Sequence, residues 1–154
     1  MNIKEAEQHV GYLLFEVSRL FRRRYEEQSK SFGLTLQQTR VIGYLSHHPD
    51  GLSQATLAHA IDSDPMTISG ILDRLEKRSL VKRVQDPSDS RAKLVTSTPE
   101  GNELFTHARS VSRALFDQVL GNLEEGHEEI LMGSLRSIRD QLIEMSPENK
   151  EPHK

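Results

Sequence analysis

The stretch that most constrains this chain runs from Ser63 to Thr98, SDPMTISGILDRLEKRSLVKRVQDPSDSRAKLVTST. It reads as a capped helix, a strand, a charged turn and a second strand. Asp64 is placed as an N-cap, and Pro65 suits the first helical position, where its missing N–H costs nothing. Ile68, Ile71, Leu72 and Leu75 fall at i, i+3, i+4 and i+7 and make one apolar face. At about 100° per residue the opposite face carries Met66, Ser69, Gly70, Asp73, Arg74 and Lys77, with Thr67 at its edge. That outer face is small and polar near its start and basic further along. Two readings stand for the helix alone: an ordinary amphipathic surface helix, or one shaped to enter a groove of DNA.

The segment that follows tips the balance toward the second. The run LVKRV, with Val81 and Val84, ends at the turn cluster Asp86-Pro87-Ser88-Asp89-Ser90, and the return run RAKLVTST is rich in β-branched residues. A hairpin there presents Arg91 and Lys93 beside Lys82 and Arg83. From Arg74 to Lys93 there are seven Lys/Arg against three Asp/Glu, a local net of +4, in a chain whose net charge is −3. Charge of the minority sign, gathered on one helix and its neighbouring hairpin, is the electrostatic footprint of phosphate binding. By contrast residues 99–154 carry six Lys/Arg against eleven Asp/Glu, a net of −5. The middle of the chain is expected to face a polyanion and the C-terminal part is not.

At 154 residues the chain is long enough for one core, or for a DNA-reading module with an oligomerisation element. No apolar run approaches the ~20 residues of a membrane span, and MNIKEAEQHVG shows no secretory signal. There is no cysteine, which excludes disulfides, thiol redox sensing and cysteine-ligated zinc and fits a cytoplasmic protein.

In chain order, residues 4–30 read as one helix, with Val10, Leu13, Leu14, Val17, Leu20, Phe21 and Tyr25 at helical spacing, stopped at Gly33. Arg22-Arg23-Arg24 within it is either a solvated face or a flanking phosphate contact. Thr35 with Gln38 is a capping box opening a second helix, and Ser53 opens a short third, with Leu52 and Leu57 placed for a hydrophobic staple. Short helix, tight turn and polar-faced helix make a helix-turn-helix, and the basic hairpin makes it winged. Thr98-Pro99 starts a helix to about Leu123, and a last helix follows Gly126-His127 to about Met145, ahead of a frayed tail. The expected fold is therefore mainly α with a small β-hairpin wing. Residues 34–98 form the winged helix-turn-helix, and residues 1–33 with 99–154 form a helical dimerisation region. The terminal helices carry more apolar stripe than a winged domain of about 65 residues can cover. A second copy of the chain is the expected cover; an intramolecular bundle is the competing arrangement.

GLTLQQTRVIGYL, and then LSQATLAHAIDSDPMTISGILDRLEKRSLVKRVQDPSDSRAKLVTSTPEG, resemble the MarR/SlyA family of bacterial transcription regulators over roughly residues 5 to 145. The most specific piece is DPSDSRAKLV, similar to that family's Asp-x-Arg wing signature. The resemblance implies a homodimer that reads a palindromic operator in double-stranded DNA. It implies that Arg91, with Asp89 orienting it and Ser90 between them, enters the minor groove. It further implies that Pro65, Met66, Thr67, Ser69, Gly70, Arg74 and Lys77 form the recognition helix, Met66, Thr67, Ser69 and Arg74 approaching base edges. A guanidinium suits the negative potential of a narrow minor groove, and a carboxylate two residues away can orient it. Lys77, Lys82, Arg83 and Lys93 are expected on phosphates, as are Ser53 and Gln54 through backbone N–H groups. Met66 and Gly70 either read a thymine methyl or permit close approach.

The resemblance also implies a small aromatic or organic-acid effector whose binding releases a repressor. Tyr12, Arg19 and His48, the last read as lying on the apolar face of the second helix, are either its candidate contacts or satisfied polar groups at the core's edge. No cofactor is expected. A metal-responsive regulator with His/Glu ligands is the alternative, since there are seven histidines. No two of them stand at i, i+4, however, and His107 has no second histidine one turn on. An enzyme is not expected, because no nucleophile–base set, phosphate-cradling loop or paired acid motif is present.

Overall fold

The computed structural model describes residues 9–89 and 91–145. The expected helical residues 4–8, the wing residue Ser90 and the tail from Ser146 lie outside the described residues. Each described α-helix but the last begins at a side chain that accepts one of its first N–H groups. Helix α1 (Val10–Gln28) starts at His9, whose Nδ1 accepts the Gly11 N–H at 3.3 Å. A 3₁₀ turn at Ser29–Ser31 ends it, and Gly33 turns the chain at φ +63°, a region open to a residue without Cβ. Helix α2 (Leu36–Ser46) has both halves of the expected capping box: Thr35 Oγ1 accepts the Gln38 N–H at 3.2 Å, and Gln38 Oε1 accepts the Thr35 N–H at 3.0 Å. Helix α3 (Gln54–Ala60) is capped by Ser53, and α4 (Pro65–Lys77) by Asp64. Between them Asp62 adopts φ +51°, one of the few side chains that tolerate that region, and so closes the helix-turn-helix turn.

Strands β1 (Val81–Gln85) and β2 (Lys93–Ser97) are antiparallel, with Arg83 opposite Val95 and Gln85 opposite Lys93. Leu52 adds a third rung: its N–H donates to Val95 O at 3.0 Å and its carbonyl accepts the Val95 N–H at 2.8 Å. The residue expected as a staple thus also ties the start of the helix-turn-helix to the wing. Helix α5 (Pro99–Leu120) is capped by Thr98, whose Oγ1 accepts the Gly101 N–H at 3.0 Å and donates to Ser79 O at 2.7 Å. It stops three residues short of Leu123, at Gly121. Helix α6 (His127–Glu144) follows Gly126.

The described chain divides into two compact units, one up to Arg113 and one from Ala114. The core of the first gathers Val41, Ile42, Leu45, Leu57, Ile61, Ile68, Leu72, Leu75, Val81 and Val95, with Ala108 from α5. Burying such aliphatic side chains contributes about 1.5–3 kcal/mol each. Tyr25 of α1 is also fully buried; its hydroxyl shares a hydrogen bond with Thr39 Oγ1 at 2.7 Å, and Thr39 Oγ1 donates to Thr35 O at 3.1 Å. In the second unit no residue of α6 is buried, and Ile130, Leu131, Met132, Leu135, Ile138 and Leu142 are all exposed. On α1, Val10, Leu13, Leu14, Phe15 and Val17 are exposed as well. No described helix is long and apolar enough to cross a membrane.

Candidate nucleic-acid interface

Helix α4 buries Ile68, Ile71, Leu72 and Leu75, which forces the remaining positions outward. Its cap is double: Asp64 Oδ1 accepts the Thr67 N–H at 2.9 Å and Oδ2 the Thr67 hydroxyl at 2.5 Å. These donors hold the Asp64 carboxyl below its usual range, the hydroxyl being the larger cause. The Thr67 hydroxyl proton is therefore committed to the cap, leaving its oxygen lone pairs and methyl for any base edge. Met66 stands 85% exposed beside it. A Cβ on Gly70 would meet nothing within 4 Å, so this glycine is not required by packing inside the fold. Arg74 and Lys77 are exposed on the last turns. The Gln54 amide reaches back to Pro65 O at 3.4 Å, joining the starts of α3 and α4. Ser53 accepts the Thr56 N–H at 3.0 Å and contacts the Thr56 hydroxyl at 2.8 Å. The side chains of both residues expected at a phosphate here are thus engaged within the motif.

The wing turn is built by two aspartates. Asp86 Oδ1 accepts the Ser88 N–H at 2.8 Å and hydroxyl at 2.6 Å, and these bonds, the hydroxyl first, hold its carboxyl below the usual range. Asp89 Oδ1 accepts the Arg91 N–H at 2.9 Å. That backbone bond sets the loop that carries Arg91. Arg91, Lys93 and Lys82 are exposed. Ser90 is outside the described residues.

Arg83 departs from the phosphate role expected of it. Its side chain is 23% exposed and lies against α4, where Nη2 donates to Asp73 Oδ1 at 2.7 Å and Nη1 to Glu76 Oε2. Those carboxylates, Asp73 foremost, stabilise the charged guanidinium further. The reason is the strand's alternation: Val81 points into the core, so Arg83, two residues on, lies on the same face. Arg78, singled out only as part of the basic count, is structural too. Its Nη1 and Nη2 donate to Gly33 O at 2.5 Å and Phe32 O at 2.9 Å, at the turn after α1. Nothing local in the sequence announces that pairing.

The effector candidates are scattered. Tyr12 and Arg19 are exposed on α1, Arg19 pairing with Glu16 at 3.8 Å. His48 lies beyond the end of α2, exposed, its Nδ1 2.7 Å from Tyr44 O; the expected place on the helix's apolar face is corrected because α2 ends at Ser46. Among the described residues no hydrogen bond or ion pair links the three. No group of three His, Asp or Glu residues is placed to hold a metal among them either. His107 instead meets the Phe32 ring edge-on at 4.9 Å.

This arrangement has counterparts. Residues 32–92 match the sequence model of the MarR family. A repressor of the helix-turn-helix type from Mycobacterium bovis is 33% identical over 114 residues, covering 74% of this chain and 81% of that protein. The crystal structure of an S. aureus MepR–DNA complex superposes with a TM-score of 0.76 at 26% identity, covering 88% of this chain and 98% of that one. CouR from Rhodococcus jostii RHA1, bound to p-coumaroyl-CoA, superposes with a TM-score of 0.75 at 28% identity, covering 86% and 93%.

Proposed function

We propose a function from the premise that this chain belongs to the MarR family of transcriptional regulators: it is a sequence-specific DNA-binding repressor, not an enzyme, that reads an inverted repeat as a homodimer. The observation that carries the reading is the outward face of α4, small and polar at its start and basic at its end, beside a wing that exposes Lys82, Arg91 and Lys93. Helix α4 then lies in the major groove, with Met66, Thr67, Ser69, Gly70 and Arg74 toward base edges. Arg91 reaches the adjacent minor groove, where negative potential favours a guanidinium. Lys77, Lys82 and Lys93 meet phosphates, which fix register without reading sequence.

The second copy is supported by the apolar faces of α1 and α6, large enough to need cover and lacking any buried residue in α6. Half-sites then repeat at about 10 bp, one helical turn, or a multiple of it. A small aromatic or organic acid relieves binding; a relative of the same fold, CouR, is known bound to p-coumaroyl-CoA. The protein works in the cytoplasm.

Selection of duplexes from a random pool tests this directly. An enriched inverted repeat, bound with affinity that falls steeply with salt, is the expected result. A chain that stays monomeric at micromolar concentration and enriches nothing would refute it. A screen of phenolic acids for release of the selected duplex then tests the effector.

A further inference from the structure

Arg83 turns its charge into the fold while Lys82 and Lys93 beside it stay exposed. Its guanidinium spans Asp73 and Glu76, one turn apart on α4, and its backbone N–H reaches Glu76 Oε1 at 3.2 Å. A planar fork held by two carboxylates resists rotation as well as separation, which a single lysine ammonium does not. The pairing therefore braces the first wing strand against the recognition helix. Asp73 also falls on the same line of α4 as Met66, Gly70 and Lys77, at i+7 from Met66. On the DNA-binding reading, on which this inference rests, that line faces a polyanion. The trio of Arg83, Asp73 and Glu76 carries one net negative charge; without Arg83 it carries two, one of them on the face turned to phosphate.

We propose that Arg83 is a positioning residue for DNA binding: it sets the wing's pitch against the recognition helix and screens the Asp73 and Glu76 carboxylates from the phosphates, touching no phosphate itself.

The test uses the full-length protein and a duplex that the wild type selects from a random pool. Affinity is measured over a range of salt, at a temperature where circular dichroism shows every variant folded. Arg83→Ala is expected to weaken binding by at least about tenfold, since like charge is then uncovered beside the phosphates. Adding Asp73→Asn and Glu76→Gln removes the uncovered like charge but not the lost fork, and should restore part of the affinity, with an unchanged salt slope. Arg83→Lys, which keeps the charge but loses the fork, should fall between. Where Arg83→Ala does not fold, Arg83→Gln takes its place in the same series.

A triple variant as weak as Arg83→Ala, with a salt slope shallower by about one, would mean that Arg83 touches phosphate and would overturn the proposal. Wild-type affinity in folded Arg83→Ala would reduce the residue to a purely structural role and overturn it equally. Should the wild type select no duplex, the DNA-binding reading falls and the brace with it. Should the wild type bind while the triple variant shows no rescue, the screening role falls and the proposal with it, while the DNA-binding reading stands.

Discussion

Asp89 Oδ1 accepts the backbone N–H of Arg91 at 2.9 Å, so the wing's carboxylate shapes the loop from which the arginine projects. An amide oxygen can accept the same bond. Asp89→Asn is therefore expected to change DNA affinity by less than about threefold, and Asp89→Ala by more. Arg91→Ala should cost about 1–3 kcal/mol of binding and leave the melting temperature unchanged. Fluorescence anisotropy on the selected duplex, run beside thermal melts, checks all three; unfolding of Arg91→Ala would make that side chain structural.

Two glycines give opposite expectations. An ideal Cβ on Gly101 would lie 2.0 Å from the Leu80 carbonyl oxygen, a backbone atom that cannot step aside. Gly101→Ala should destabilise by about 3 kcal/mol or more, visible as a lower denaturation midpoint. Gly70→Ala meets open space and should gain up to about 1 kcal/mol from helix propensity. If the backbone at Gly70 approaches the bases closely, the same substitution weakens DNA binding while the midpoint rises.

Acid should loosen the start of the recognition helix. The Asp64 carboxyl is held below its ordinary 3.8 by the Thr67 hydroxyl and N–H. A carboxyl depressed in the folded state contributes stability that is whole above 3.8 and is lost as pH falls through the lower folded value. Melting temperature should thus be insensitive to this group between about pH 6 and 8 and fall below about pH 4. In Asp64→Asn, which keeps an acceptor but cannot titrate, part of that acid fall should disappear. Identical acid profiles for the two proteins would show that the cap carries no such linkage.

Helix α6 exposes Leu135 and Ile138 on one stripe. Leu135→Glu with Ile138→Glu should yield a monomer by sedimentation, since charges on a buried apolar seam go unpaired. Affinity for the inverted repeat should drop by a hundredfold or so as the second half-site is lost. A dimer that survives both substitutions would place the seam elsewhere.

What could be read along the chain was whatever its chemistry completes within a few residues. Thr35 with Gln38, Ser53 with Thr56, Asp64 with Thr67 and Thr98 with Gly101 each close a helix start over three positions; the four capping residues, and Gln38 as partner of the first, are legible from residue type and spacing. The buried face of α4 followed from its period in the same way. Arg83 left a weaker trace, the alternation from Val81, which its positive charge obscured: a basic residue in a basic hairpin reads as a phosphate contact until its partners are known.

The sequence by itself determined the order of elements, the helix caps, the core face of α4 and the basic character of the wing, because these depend on local hydrogen bonding and on periodicity. Only the tertiary structure decided which cations face outward. Arg78 finds carbonyls 45 and 46 residues away, Arg83 finds two carboxylates on the preceding helix, and Leu52 finds a strand edge at Val95. Such pairings arise when the chain's packing brings distant groups within hydrogen-bond reach, and a charge so paired is withdrawn from the surface that composition had assigned it to.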